Sequence, residues 1–148
     1  MGRPGPVPPV GRRRQALAHL YPLLADDDVL LRMRVGEVLS QIAETNREAR
    51  TSLIEASTTE SAPVRLELLR LLGRLERLDT AVAHRMLRAL EDPDQAMRDE
   101  GARWLGRRLS PANLDRLLAL EPADVQARAR QRLGAGSGLD APPDADRR

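Results

Sequence analysis

Between residues 15 and 134, apolar positions recur three and four residues apart, and short polar breaks interrupt them. Gln15 to Leu24 places Ala16, Leu17, Leu20, Leu23 and Leu24 at helical spacing. Asn46 to Ala56 does so with Ala49, Leu53 and Ile54, and Thr80 to Leu90 with Val82, Ala83, Met86, Leu87 and Leu90. Pro111 to Leu120 carries Leu114, Leu117, Leu118 and Leu120; Ser110 stands as its cap and Pro111 at the first helical position, the favoured arrangement. A second periodic segment follows each of the four. The breaks are a few residues long, so the pattern predicts sequential helices that run antiparallel to their neighbours.

The second segments repeat one another. Three align without gaps: Asp28 to Ser40, Ser61 to Gly73 and Asp94 to Gly106, with Arg32, Arg65 and Arg98 at 33-residue intervals. Each has apolar residues one before the shared Arg, then three or four and seven after it, one face of a helix. Asp28, Ser61 and Asp94 open the copies as N-cap residues. A fourth copy, Val125 to Gly134, is displaced by 28 and has Gln126 in place of the Arg and Arg130 at an expected core position. Asp28/Arg32 and Asp94/Arg98 are four apart, acid first, the spacing that favours an ion pair on a helix. Leu72 and Leu105 are expected to be buried seam residues, and Gly106 to matter if it closes a tight helix approach.

The copies resemble the HEAT-repeat family, including the bacterial HEAT-like proteins related to phycobilin-lyase repeats. That family's inner helix runs Asp, Val-Arg, small or apolar residues, then Leu-Gly. Asp94, Met97-Arg98, Gly101-Ala102 and Leu105-Gly106 carry the likeness best, then Val64-Arg65 with Leu72-Gly73, and Leu31-Arg32 with Leu39-Ser40. The resemblance implies an all-α fold, a right-handed α-solenoid of about four HEAT-like helix pairs over residues 15–134. Residues 1–14, with Pro4, Pro6, Pro8 and Pro9, are expected to be a disordered basic tail. Residues 135–148, with Gly136, Gly138, Pro142 and Pro143, are expected to be a disordered Gly/Pro/Asp tail.

Composition agrees with helices. Aromatic residues make up 1% of the 148-residue chain, too few for most β-sandwiches. Cysteine is absent, which excludes disulfide scaffolds, thiolate metal sites and thiol nucleophiles. Every basic residue is arginine. Residues 1–14 hold four of them and no acid, whereas residues 15–134 hold 18 against 19 acids. A near-neutral body is unlike the footprint of a dedicated duplex-DNA binder. No targeting or membrane-spanning segment is visible, so a cytoplasmic protein is expected.

Candidate chemistry is sparse. Positions five and nine after the shared residue project together, away from the apolar stripe. They are Glu37 and Gln41, then Arg70 and Arg74, then Arg103 and Arg107. The four arginines form either an anion-binding patch on a concave face or a solvated face neutralised by Glu67 and Glu100. Trp104 either stacks on a base or a partner side chain, or fills the core. His19 and His84 lack metal-ligand spacing. Asp26, Asp27 and Asp28 lack the alternation of a calcium loop. No nucleophile, cofactor or metal constellation stands out, so the reading is a non-enzymatic scaffold or adaptor. Arg70, Arg74, Arg103, Arg107 and Trp104 would bind a protein partner carrying an acidic segment. The alternative is a nucleic-acid-binding protein related to the HEAT-like alkylpurine DNA glycosylases. A bilin-lyase-like role rests on repeat similarity alone.

Overall fold

A computed structural model describes residues 10–140 of the chain, with side chains over 14–134. Among the described residues the backbone is helical throughout, with no strand. In order, the helices are α1 (Val10–Leu20), a short 3-10 helix (Tyr21–Ala25), α2 (Val29–Thr45), α3 (Arg47–Thr59) and α4 (Ala62–Gly73). There follow α5 (Thr80–Ala89), α6 (Gln95–Arg108), α7 (Pro111–Leu118) and α8 (Ala123–Asp140). None is long and apolar enough to cross a membrane. The chain divides between Arg77 and Leu78 into two compact units, the first holding α1 to α4 and the second α5 to α8.

Local chemistry fixes the helix starts. Asp28 Oδ1 accepts from the N–H groups of Leu30 (2.9 Å) and Leu31 (3.3 Å), and Asp94 Oδ1 from that of Ala96 (2.9 Å). Asn46, Asp79 and Ser110 cap α3, α5 and α7 in the same way. Ser61 sits at the N-cap of α4 but makes no side-chain capping bond; Pro63, in the first turn, has no N–H to offer. The segment predicted as one helix from Gln15 to Leu24 is split, because Pro22 lacks the donor and crowds the carbonyl four residues back. The outer helices also run past the expected limits. α1 begins at Val10, directly after the last proline of the N-terminal run, and α8 reaches Asp140. Of the two expected tails, residues 1–9 and 141–148 lie outside the described residues.

The first unit packs α1 on α3, α2 on α3, α3 on α4, and α2 on α4. Leu39, Leu53, Leu68 and Leu72 are at most 1% exposed at its centre. The buried Tyr21 hydroxyl and Ser52 Oγ share a hydrogen bond of 2.6 Å. Buried Arg50 donates to the carbonyl of Ala43 at the end of α2 (2.9 Å). The Glu44 carboxylate accepts from the Glu76 and Arg77 N–H groups (3.2 and 3.1 Å), which fixes the chain leaving α4. Arg14, expected in the tail, belongs to α1 and pairs with Glu55 of α3 at 2.8 Å.

In the second unit α5 packs on α6, and α6 on α8. The closest approach is at Gly101. A Cβ there would stand 2.6 Å from the Met86 carbonyl oxygen and 2.9 Å from the Ala89 Cβ. Gly106, the glycine weighed for such an approach, faces open space. The two lie five residues apart and so point about 140° away from each other around α6. Leu105 is fully buried, as expected. Arg130, at the expected core position of the fourth copy, is exposed and pairs with Asp115 at 2.9 Å; Ala129 is buried instead.

The helices that carry the repeat, α2, α4, α6 and α8, are each tied to the turn before them by the repeated polar side chain, in a way the sequence did not show. Arg32 Nη1 donates to the Asp26 carbonyl, and Arg98 Nη1 to those of Asp92 (2.7 Å) and Pro93 (2.9 Å). Arg65 reaches the Glu60 carbonyl (3.3 Å) and Gln126 the Glu121 carbonyl (2.8 Å). The expected Asp28/Arg32 and Asp94/Arg98 ion pairs are therefore corrected: the acids cap N–H groups, and the arginines bind carbonyls.

Two outcomes follow from this packing. Gly101→Ala is expected to cost about 1–3 kcal/mol through overpacking. Gly106→Ala should be neutral or stabilising by up to about 1 kcal/mol through helix propensity; paired thermal melts separate the two. The second outcome concerns alkaline pH. Tyr21 is the one tyrosine, and Lys and Cys are absent, so it is the side chain that titrates between neutral pH and arginine's range. Burial, chiefly, raises its pKa above the ordinary 10.0. The folded chain then keeps a proton that the unfolded chain loses. Stability is present below pH 10 and falls as pH rises beyond it. Denaturant titrations at pH 9 and pH 11 should show that loss, and Tyr21→Phe should flatten it. Wild-type stability unchanged while tyrosinate absorbance develops would contradict the burial.

Candidate binding groove

Of the projecting positions singled out in the sequence, Glu37, Gln41 and Arg74 line one groove of the first unit, and Arg70 does not. A groove of about 530 Å³ runs between α2 and α4. Leu24, Val29, Met33, Gly36 and Leu71 supply its apolar surface; Glu37, Gln41, Glu67 and Arg74 supply its polar groups. Two helix reversals separate α2 from α4, and a 33-residue shift aligns Gln41 with Arg74. The aligned register places Val29 and Met33 towards one end of the groove and Glu37, Gln41 and Arg74 towards the other.

Gly36 opens this space. Its periodic equivalents are Leu69, which is fully buried, and Ala102, which is half-buried. A Cβ at Gly36 would meet nothing within 4 Å, so no contact among the described residues requires glycine there. A helix-interior glycine costs about 0.5–1 kcal/mol relative to Ala. Gly101 has a packing reason for that cost, and Gly36 has none among the described residues.

The four arginines divide two and two between the units. In the first, Arg70 Nη1 bonds Glu67 Oε1 at 2.9 Å across one helical turn. Arg74 caps the end of α4, is exposed, and has no side-chain partner among the described residues. In the second unit Arg103 Nη1 bonds Glu100 Oε2 at 3.0 Å, and the Glu100 side chain is only 11% exposed. Arg103 therefore neutralises a buried carboxylate. Arg107 is exposed in the last turn of α6. Glu67 and Glu100 thus hold one arginine of each pair, the neutralised arrangement that was the alternative to a free patch. Arg74 and Arg107 are the two left without such a carboxylate.

Trp104 is corrected outright as a stacking residue. It is 1% exposed, so its faces belong to the core and offer no platform to a base. Its Nε1 has no hydrogen-bond partner among the described residues, and the Arg108 guanidinium lies 5.8 Å from its ring centroid. The structure offers no physical account of that unpaired donor. Among the described residues no three His, Asp or Glu side chains gather as a metal site. His84 Nδ1 lies 3.6 Å from Glu121 instead. Asp26 and Asp28 are both taken up in turn and cap bonds.

No protein-family model, curated protein or solved structure matches the chain.

Sequence reasoning placed Glu37, Gln41 and Arg74 among six projecting positions, with Arg70, Arg103 and Arg107, but missed that these three line a groove. The available signal was Gly36, a glycine where the other copies carry Leu69 and Ala102.

The two arginine–glutamate pairs should differ in energy. Arg103→Ala leaves the buried Glu100 carboxylate unpaired and is expected to cost about 1–3 kcal/mol. Arg70→Ala breaks an exposed pair and should cost less than about 1 kcal/mol. Denaturant melts that rank them the other way would show that Glu100 does not depend on Arg103.

Proposed function

We propose that this chain is a non-enzymatic, HEAT-like helical-repeat module that holds a segment of a partner protein in the groove between α2 and α4. The repeat reading is supported by the 33-residue register, by N-caps at equivalent positions, and by the shared side chain bound to a turn carbonyl in all four copies. A right-handed stack of four pairs would present the inner helices on one concave face.

The observation that carries the binding role is the groove itself. It combines an open apolar end at Val29 and Met33 with the unpartnered guanidinium of Arg74, around a glycine that packing among the described residues does not need. A helix or extended segment with one or two apolar anchors would fill the Met33 end. An acidic side chain following them would meet Arg74, where a carboxylate can be bound in bidentate fashion. On this reading the acidic segment expected from the sequence would meet the first unit's Arg74 rather than four arginines and a tryptophan.

Affinity capture from the native host tests this reading, with wild type, Gly36→Leu and Arg74→Glu as baits. Gly36→Leu fills the groove and replaces a helix-interior glycine, so its melting temperature should equal or exceed that of wild type. Both variants should lose the partners that wild type recovers. Recovery of the same partners at the same salt by both variants would place the binding surface elsewhere.

A further inference from the structure

Seven large apolar side chains stand exposed among the described residues, and five of them lie on α2: Val29, Leu30, Leu31, Met33 and Val38. Leu30 is 72% exposed and Met33 57%. At helical spacing the ridge opposite the buried Val35, Leu39 and Ala43 runs Leu30, Arg34, Glu37, Gln41, with Met33 on one flank and Val38 on the other. Arg34, Glu37 and Gln41 are all exposed.

The two charges on this ridge are left over. Arg34 and Glu37 lie three residues apart with opposite sign, yet neither has an ion pair among the described residues. Glu67/Arg70 and Glu100/Arg103, at the same spacing with the acid first, do pair. On α2 the order is reversed, which is the less favourable orientation for a pair within one helix.

We propose that α2 is a self-association surface, on which a second copy of this chain lays its own α2 antiparallel about a two-fold axis level with the Val35–Gly36 bond. This axis brings Arg34 of each copy level with Glu37 of the other, so the two charges that find no partner within one chain find one in the pair. Leu30 comes level with Gln41 of the other copy. Met33 and its symmetry mate share one flank, offset along the helices by about 7.5 Å, and Val38 and its mate share the other with the same offset. The surface is self-complementary in the sense an isologous contact requires. One helix from each copy covers less than the ~800 Å² per partner of a standard interface, so the dimer is weak and forms in concentrated solution. The pairing is independent of the groove reading, although Met33, Glu37 and Gln41 serve both, so that a bound segment and a second copy compete.

Sedimentation equilibrium of the full chain, from roughly micromolar to millimolar concentration, tests the pairing without any partner protein. The wild-type mass should rise from 16.4 kDa towards the dimer. Arg34→Glu alone and Glu37→Arg alone place like charges together, and each should weaken association at least about tenfold. An equimolar mixture of these two variants should associate as well as wild type or better, and so should the double exchange Arg34→Glu/Glu37→Arg. Unchanged far-ultraviolet dichroism shows that each variant is folded. A wild-type mass that stays at 16.4 kDa throughout overturns the proposal. Single variants that associate like wild type, or a mixture that stays monomeric, overturn it as well. The measurement contains no partner protein, so none of these failures bears on partner binding in the groove.

Discussion

A guanidinium or carboxamide bound to the backbone carbonyl of the preceding turn is the contact on which each helix pair depends. Where one helix ends and an antiparallel one begins, the chain leaves carbonyls without intrahelical donors and N–H groups without acceptors. Two side chains answer this in the clearest copies. Asp28 and Asp94 accept from the first N–H groups of the new helix, and Arg32 and Arg98 reach back six residues to the carbonyls of Asp26 and Asp92. The first bond sets where the helix starts; the second sets the direction in which it leaves the turn. Both partners are local in sequence, so the unit can be repeated while nearly everything between its fixed points changes. Gln126 shows what the position needs: it donates to the Glu121 carbonyl without carrying a charge.

With those residues committed, the apolar positions close two cores around Leu68 and Leu105, and the remaining charges are free for other work. Arg50, Arg103 and Glu44 are drawn into the fold by buried carbonyls, a buried carboxylate and the chain leaving α4. Arg74 and the outward ridge of α2 are not. The proposals for partner binding and for self-association both come from this remainder: polar groups exposed beside apolar surface that the chain itself does not cover.

The all-helical fold was legible in the sequence because it rests on periodicity, caps and the burial of leucines such as Leu72 and Leu105. What the sequence hid depends on facts that side-chain spacing does not encode. A backbone carbonyl is present at every residue, so nothing in the string Asp94 to Arg98 says that the arginine prefers a carbonyl to the acid beside it. Gly101 and Gly106 look alike in sequence, and only the approach of α5 separates them. Trp104 reads as a possible stacking group until its burial is seen. The spacing of α2 marks Val35 and Leu39 as core but does not say what its other apolar residues face. The open space at Gly36 leaves Val29 and Met33 facing a groove, while Leu30 and Val38 point outward.

The carbonyl-binding role of the repeated residue is tested most directly by equilibrium denaturation of Arg98→Gln beside Arg98→Leu. Glutamine keeps a donor able to reach the Asp92 or Pro93 carbonyl, as Gln126 does in its own copy, and should lose less than about 1 kcal/mol. Leucine keeps the bulk and removes the donor, and should lose about 1–3 kcal/mol through the unsatisfied carbonyls. If the two variants unfold at the same denaturant concentration, a hydrogen bond to the turn is not what the position supplies.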